Sequence, residues 1–391
     1  MRSYIDIIRT HPRLLTFGVL QSFFSNLGKS FVMALFVPHI REAFQLQRTE
    51  FGTLYSIATL VAAALLLFVG RLIDKFNLRL YSLAVGLLMI AAYWLTAWAA
   101  TVPLLFLGMF GLRLSGHGMM THIESISISR YFGPLRGKAL GITSLGYSLG
   151  AAVLPVVSVW LIGWVGWRLS FFLLGLSCAL VLLPFSDLLI RPKVDFQFPP
   201  AEAPGSLAGG PAFHMSRREV FRSPYFYSVL PLMVCASFFF GGLLFHQGSL
   251  SAHKGWSPRW IAYCFVVFAI VQSLSGFLVG PAVDRFTARA IFPLHVIPMA
   301  LAAALLAGSR SPWAGAVSFG LIGITMGVGR NVRSAVWAEV YGTAHLGAIR
   351  SLAFTIMILA AALSPGIVGW FLDLGANIDT LLLIASTLIV A

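Results

Sequence analysis

Apolar residues in this chain come in blocks broken by short polar stretches. About 20 apolar residues in an α-helix cross the roughly 30 Å hydrocarbon layer of a bilayer. The blocks lie at residues 14–38, 52–70, 79–100, 103–130, 137–162, 167–190, 225–250, 258–280, 288–308, 312–340, 345–371 and 375–391. They predict an all-α membrane protein with twelve transmembrane helices. The last block is shorter than its counterpart in the first half, which leaves open whether the chain continues past Ala391.

Composition agrees with the pattern. Of 391 residues 58% are hydrophobic and 10% charged, where a soluble domain carries about a quarter charged. Cys178, Cys235 and Cys264 lie singly in apolar blocks with no CxxC spacing, so neither a zinc ribbon nor a disulfide framework is indicated. The N-terminus, MRSYIDIIRTHPRLL, is charged and lacks a short apolar core with a small-residue cleavage site. The first helix is therefore expected to double as the insertion signal. A net charge of +14 raises nucleic acid as a partner, but the basic residues are scattered through short loops and form no stripe. Sorted by alternate loops, 17 Lys and Arg fall on the side of the N-terminus and 6 on the other, with 4 inside the blocks. The positive-inside rule then puts both termini in the cytoplasm, in a cell inner membrane.

An internal repeat appears at an offset of 210 residues, pairing Gly70 with Gly280, Asp74 with Asp284, Lys75 with Arg285, Arg79 with Arg289, Gly137 with Gly347, Pro155 with Pro365 and Trp160 with Trp370. Six predicted spans separate equivalent points, so the halves share one orientation and form parallel six-helix repeats. The expected organisation is an N-terminal half over residues 1–190, a cytoplasmic linker over 191–222 and a C-terminal half over 223–391. The linker is rich in Pro, Gly and Ala, and Ser216-Arg217-Arg218-Glu219 reads as a capping-box start for a short helix leading into the seventh span.

GRLIDKFNLR (70–79) and GPAVDRFTAR (280–289) resemble the G-x-x-x-D-[RK]-x-G-x-[RK] signature that follows the second and eighth helices of the major facilitator superfamily. The second glycine of that signature is Asn77 in the first copy and Thr287 in the second. Asn tolerates a left-handed turn better than other non-glycine residues, so the first copy is expected to keep the turn and the second is the one in question. The resemblance implies twelve helices around a central cavity lined by helices 1, 4, 7 and 10. It also implies a cytoplasmic gate at Gly70, Asp74, Lys75, Arg79, Gly280, Asp284, Arg285 and Arg289, with the two aspartates accepting hydrogen bonds from helix N-termini and basic residues. LRLSGHG (112–118) is similar to the fourth-helix arginine signature, with Arg113 as that arginine. GYSLGAAVLP (146–155) lacks the Gly-Pro pair of the drug/proton antiporters. FHQ (245–247), KGW (254–256) and AEVYGTAHLGAIRSL (338–352) resemble bacterial carriers in the monocarboxylate-porter neighbourhood.

Charge inside a bilayer is costly and marks a functional candidate. Four cations fall inside spans: Lys29, Arg113, Arg330 and Arg333. At about 100° per residue, Ser22, Ser25 and Lys29 share one face of the first helix, flanked by Asn26. Arg113, His117, Met120 and Glu124 share a face of the fourth, and Met326, Arg330, Arg333, Ser334 and Trp337 one side of the tenth. His122 points about 140° away from His117, so the two cannot chelate one metal ion together. No cofactor is indicated. If the stripes converge, four cations face one carboxylate, and an arginine fork suits a carboxylate or phosphate.

The reading is a monomeric secondary transporter of a small organic anion. Its expected partners are the anionic substrate, protons and the bilayer, with no nucleic acid. Lys29, Arg113, His117, Arg330, Arg333, Ser25, Asn26 and Trp337 are the candidate substrate contacts; Glu124 and His117 are the candidates for proton coupling. Arg113 has a structural alternative, pairing with Glu124 or with carbonyls of a broken helix. The competing function is efflux of a metabolite, a drug or a metal-chelate complex. An intramembrane enzyme or metal site, and a sensor that has lost transport, are the other function classes that compete with it.

Overall fold

The computed structural model describes residues 4–74, 76–132, 135–190, 217–341 and 346–390, and these are helical with short turns and no strand. The chain divides into two compact units, Met1–Ala201 and Glu202–Ala391.

In the first unit, α1 (Tyr4–Thr10) leads into α2 (Pro12–Ser25) and α3 (Ser30–Phe44), followed by α4 (Arg48–Val69), α5 (Leu78–Ala97), α6 (Val102–Leu112), α7 (Thr121–Phe132), α8 (Arg136–Ser177) and α9 (Leu183–Ile190). The second unit holds α10 (Arg217–Val220), α11 (Pro224–Phe245), α12 (Gln247–Lys254), α13 (Pro258–Phe286), α14 (Ala288–Leu294), α15 (Ile297–Gly308), α16 (Pro312–Tyr341), α17 (Leu346–Asp373) and α18 (Ile378–Val390). The expected short helix before the seventh span is α10; Ser216, its expected cap, lies outside the described residues.

Among the described residues, eight stretches are continuous, long and apolar enough to cross a membrane. The difference from the twelve blocks has local causes. The block at 14–38 is cut by a tight turn at Asn26–Gly28 and by Lys29, whose backbone is extended at φ −91°, ψ 155°. The block at 103–130 passes through a wide-turned segment, Arg113–Met120, in which hydrogen bonds run i→i+5. The blocks at 137–162 and 167–190 follow one another without a loop, and only the non-helical backbone of Gly166 (φ 76°, ψ 169°) separates their helices, as the block boundary predicts. The final helix, α18, has only 13 residues.

Similar pairings recur in the two units: α2 on α8 and α11 on α17, α4 on α6 and α13 on α16, α5 on α9 and α15 on α18. Small residues set the closeness. A Cβ on Gly327 of α16 would stand 2.3 Å from the Gln272 carbonyl oxygen of α13. In the second unit, Lys254 of α12 sits 2.7 Å from Asp379 and donates to Ala307 O at 3.3 Å, tying α12 to α15 and α18.

The two signature turns differ from the sequence expectation. Asn77 sits at φ −57° and uses its side chain to accept from Arg79 N at 2.8 Å, capping α5. It needs no left-handed backbone. Thr287 carries the unusual conformation instead, φ 66° and ψ 149°. A β-branched residue there costs on the order of 1–3 kcal/mol. Thr287→Gly should therefore stabilise the protein by about 1 kcal/mol after the entropy cost of glycine. A rise in the thermal midpoint of the purified protein checks this; an unchanged or lower midpoint would show the turn is unstrained.

Candidate functional site

The broken first span and the wide-turned fourth span meet backbone to backbone. A Cβ on Gly28 would lie 2.3 Å from Leu112 O and 2.7 Å from the Gly116 Cα, and one on Gly116 would lie 2.7 Å from the Gly28 Cα. Breaking a helix inside a bilayer frees carbonyls that water cannot reach, so the protein must supply donors. Tyr93 Oη donates to Leu27 O at 2.8 Å, and Arg113 Nη1 donates to Gly28 O at 3.0 Å. Arg113 Nε also donates to Thr59 Oγ1 at 3.0 Å, and its guanidinium lies 5.3 Å from the Tyr55 ring centre. Arg113 is thus a buried brace of the break, the second of its two sequence readings, and its hydrogen bonds go to Gly28 and Thr59 instead of Glu124.

Lys29 occupies the N-cap position of α3, where no side chain caps the first turn. Its ammonium lies 4.8 Å from the ring centre of Tyr147 on α8. The His117 backbone nitrogen comes within 2.7 Å of where a Cβ on Gly28 would stand, next to Lys29 in the chain and on the residue whose carbonyl Arg113 holds, and the buried His117 Nδ1 has no hydrogen-bond partner. Lys29, Arg113 and His117 are therefore brought together. Ser25 and Asn26 serve the break itself: Ser25 Oγ donates to Ser22 O at 2.8 Å, and Asn26 Nδ2 reaches Ser22 O, Phe23 O and Tyr147 O at 3.1–3.2 Å.

Glu124, on α7, accepts from Thr143 Oγ1 of α8 and is buried. The i→i+5 turns between Arg113 and Glu124 hold an extra residue each, so facing computed at α-helical spacing does not carry across the segment. His122 reaches the other way, its Nε2 3.2 Å from Gly70 O at the start of the first signature turn.

At the signature turns, Arg79 Nε donates to Asp187 of α9 at 2.5 Å. The side chains of Asp74 and Asp284, and all of Lys75, lie outside the described residues; Gly280 falls within α13. Arg285 lies over the Phe286 ring and Arg289 over that of Tyr225. The first turn of α14 is capped by Glu339, which accepts from Ala288 N at 2.8 Å and Arg289 N at 3.0 Å. A carboxylate 50 residues away gives no local sign that it will meet a helix N-terminus, where it is electrostatically favoured.

In the tenth span, Arg330 is exposed and Arg333 half-buried. Trp337 is 2% exposed and stacks on Tyr341 within the core around Phe226, so it is a packing residue. Arg333 packs toward His295, at the end of α14, which sequence reading had passed over.

Residues 18–266, well over half of the chain, match the family described as the Major Facilitator Superfamily. The chain belongs to the Major Facilitator Superfamily. Among superfamily relatives, it is 28% identical over 170 residues to the probable sulfoacetate transporter SauU of Cupriavidus necator, covering 43% of this chain and 39% of that protein. It is 27% identical over 183 residues to the uncharacterized MFS-type transporter YcxA of Bacillus subtilis, covering 45% and 44%. The matched stretch thus spans less than half the length of these curated relatives. A bacterial homolog of the human lysosomal transporter Spinster, in an inward-facing unoccupied conformation, superposes with a TM-score of 0.70 at 19% identity over 100% of this chain and 93% of that one. The nucleoside transporter NupG superposes at 0.67 with 13% identity over 97% and 96%. These superfamily likenesses establish a shared fold.

Proposed function

We propose that this chain is a secondary transporter that moves a small organic anion across the cytoplasmic membrane by alternating access, coupled to protons. In this reading it crosses the membrane twelve times, as two parallel repeats with both termini cytoplasmic. The observation that carries the substrate class is the break at Asn26–Lys29. It collects Lys29, Arg113 and His117 beside an uncapped helix start. A helix N-terminus at a discontinuous span favours negative charge, and a nearby ammonium adds to it. Lys29 and His117 are the contacts proposed for the anion, with Arg113, Ser25 and Asn26 holding the break in shape. Arg330 and Arg333, in the second unit, remain proposed contacts for an anion. Glu124 and His117 remain proposed coupling groups, and the signature turns at 70–79 and 280–289 the proposed cytoplasmic gate. The relative named as a probable sulfoacetate transporter supports an anionic substrate carrying a carboxylate.

The test is uptake into proteoliposomes of mono-, di- and tricarboxylates, sulfoacetate and organophosphates, with and without a pH gradient. Lys29→Gln is expected to raise KM for the transported anion about tenfold or more, the loss of a charge-assisted contact. Uptake of neutral or cationic compounds only, or unchanged kinetics in Lys29→Gln, would overturn the anion assignment. Anion uptake indifferent to the pH gradient would remove the coupling and leave the carrier.

A further inference from the structure

His295 closes α14 inside the second unit and is 6% exposed. Its Nδ1 is set against Phe292 O, so that nitrogen carries the ring proton and donates to the carbonyl. Nε2 is then an acceptor on the other edge of the ring. That edge faces Arg333 across Gly329: a Cβ on Gly329 would lie 2.8 Å from Arg333 Nη1, 2.8 Å from His295 Cδ2 and 3.1 Å from His295 Nε2. The two nitrogens are consequently no more than about 6 Å apart, a span that one oxyanion bridges with hydrogen bonds of about 2.7–2.9 Å. Among the described residues Arg333 has no hydrogen bond or ion pair, and its partial exposure leaves it reachable.

Among the described side chains, the surrounding charges favour an anion. From α16 come Arg333 and, one turn earlier, the exposed Arg330. Glu339, also on α16, is engaged with the backbone at the far end of α14, Arg285 of α13 is exposed, and Arg289 lies over Tyr225 of α11. On the side of α15 and α18, Asp379 pairs with Lys254 and His253.

We propose that His295 and Arg333 form one oxyanion subsite in which the anion and a proton bind together. The neutral ring offers a bound oxyanion no donor from Nε2. A proton on Nε2 without an anion would face the guanidinium directly. When both arrive, Nε2–H and Nη1–H each donate to the anion and the repulsion is cancelled. The proton comes from the aqueous phase and returns to it when the anion leaves, and the coupling is reciprocal. This deepens the anion-carrier reading and rests on it, assigning a coupling group other than Glu124 and His117.

The experiment is calorimetric binding of sulfoacetate, succinate and inorganic phosphate to the purified full chain over about pH 5.5–8, where histidine titrates. Wild type is expected to bind up to about tenfold more tightly per pH unit of acidification, one proton taken up per anion. His295→Asn keeps an amide donor for Phe292 O and should bind with no pH slope; Arg333→Gln should lose at least tenfold in affinity. A wild-type slope retained in His295→Asn overturns this inference and leaves the carrier reading standing. Where His295→Asn fails to fold, Arg333→Gln decides: unchanged affinity and slope overturn the proposal. Displacement of the probe by phosphatidylglycerol would reassign the pair to a lipid headgroup. Binding of no probe to wild type would remove the anion-carrier reading as well.

Discussion

Gly28→Ala is expected to destabilise the first unit by about 3 kcal/mol or more, the upper range for overpacking a close-packed site. The added Cβ would stand 2.3 Å from Leu112 O and 2.7 Å from both the Gly116 Cα and the His117 nitrogen. All three are backbone atoms, so no side chain can swing aside. The fourth span would have to move, taking Arg113 from Gly28 O and His117 from Lys29. Loss of monodisperse protein or a collapse of the thermal midpoint is the expected measurement. Gly163→Ala is the control, since a Cβ there meets nothing within 4 Å. A Gly28→Ala protein as stable as wild type would show that the two spans do not touch.

Arg113→Leu is expected to cost about 2 kcal/mol without any substrate present. Two opposing effects set the size. Removing a buried cation relieves roughly 2.5–3.5 kcal/mol of the cost of charge inside a membrane. Against this, two charge-assisted hydrogen bonds are lost at about 1.5–3 kcal/mol each, and Gly28 O is left without its donor. The loss wins because the break in the first span has already spent its backbone pairing. The readout is the thermal midpoint of ligand-free protein, with Arg113→Lys intermediate because a single ammonium cannot reach Gly28 O and Thr59 with the same fork. A midpoint unchanged in Arg113→Leu would return Arg113 to the substrate.

The twelve apolar blocks are legible because burial in lipid demands long uninterrupted runs, and superfamily membership is legible because the signature turns repeat at a fixed offset. The candidate site was half legible. Lys29, Arg113 and His117 were marked by being ionisable inside apolar blocks. Their roles were not, because a helical wheel assumes continuous α-helix and the chain abandons it at Asn26–Lys29 and Arg113–Met120. Tyr147 carries no local sign of its role, since a tyrosine in an apolar stretch is ordinary, yet its ring lies 4.8 Å from the Lys29 ammonium.

By itself, then, the sequence determined that this is a helical membrane protein of the superfamily, and which few residues carry charge into the apolar blocks. Those follow from hydrophobicity and period, which are local properties of a chain. Only the tertiary structure decided that Arg113 braces a broken helix, that Trp337 is core, that Thr287 and not Asn77 bears the left-handed backbone, and that Glu339 and His295 meet partners far along the chain. Each of these depends on where a freed carbonyl, a helix end or a guanidinium finds its complement, and that is set by packing between segments.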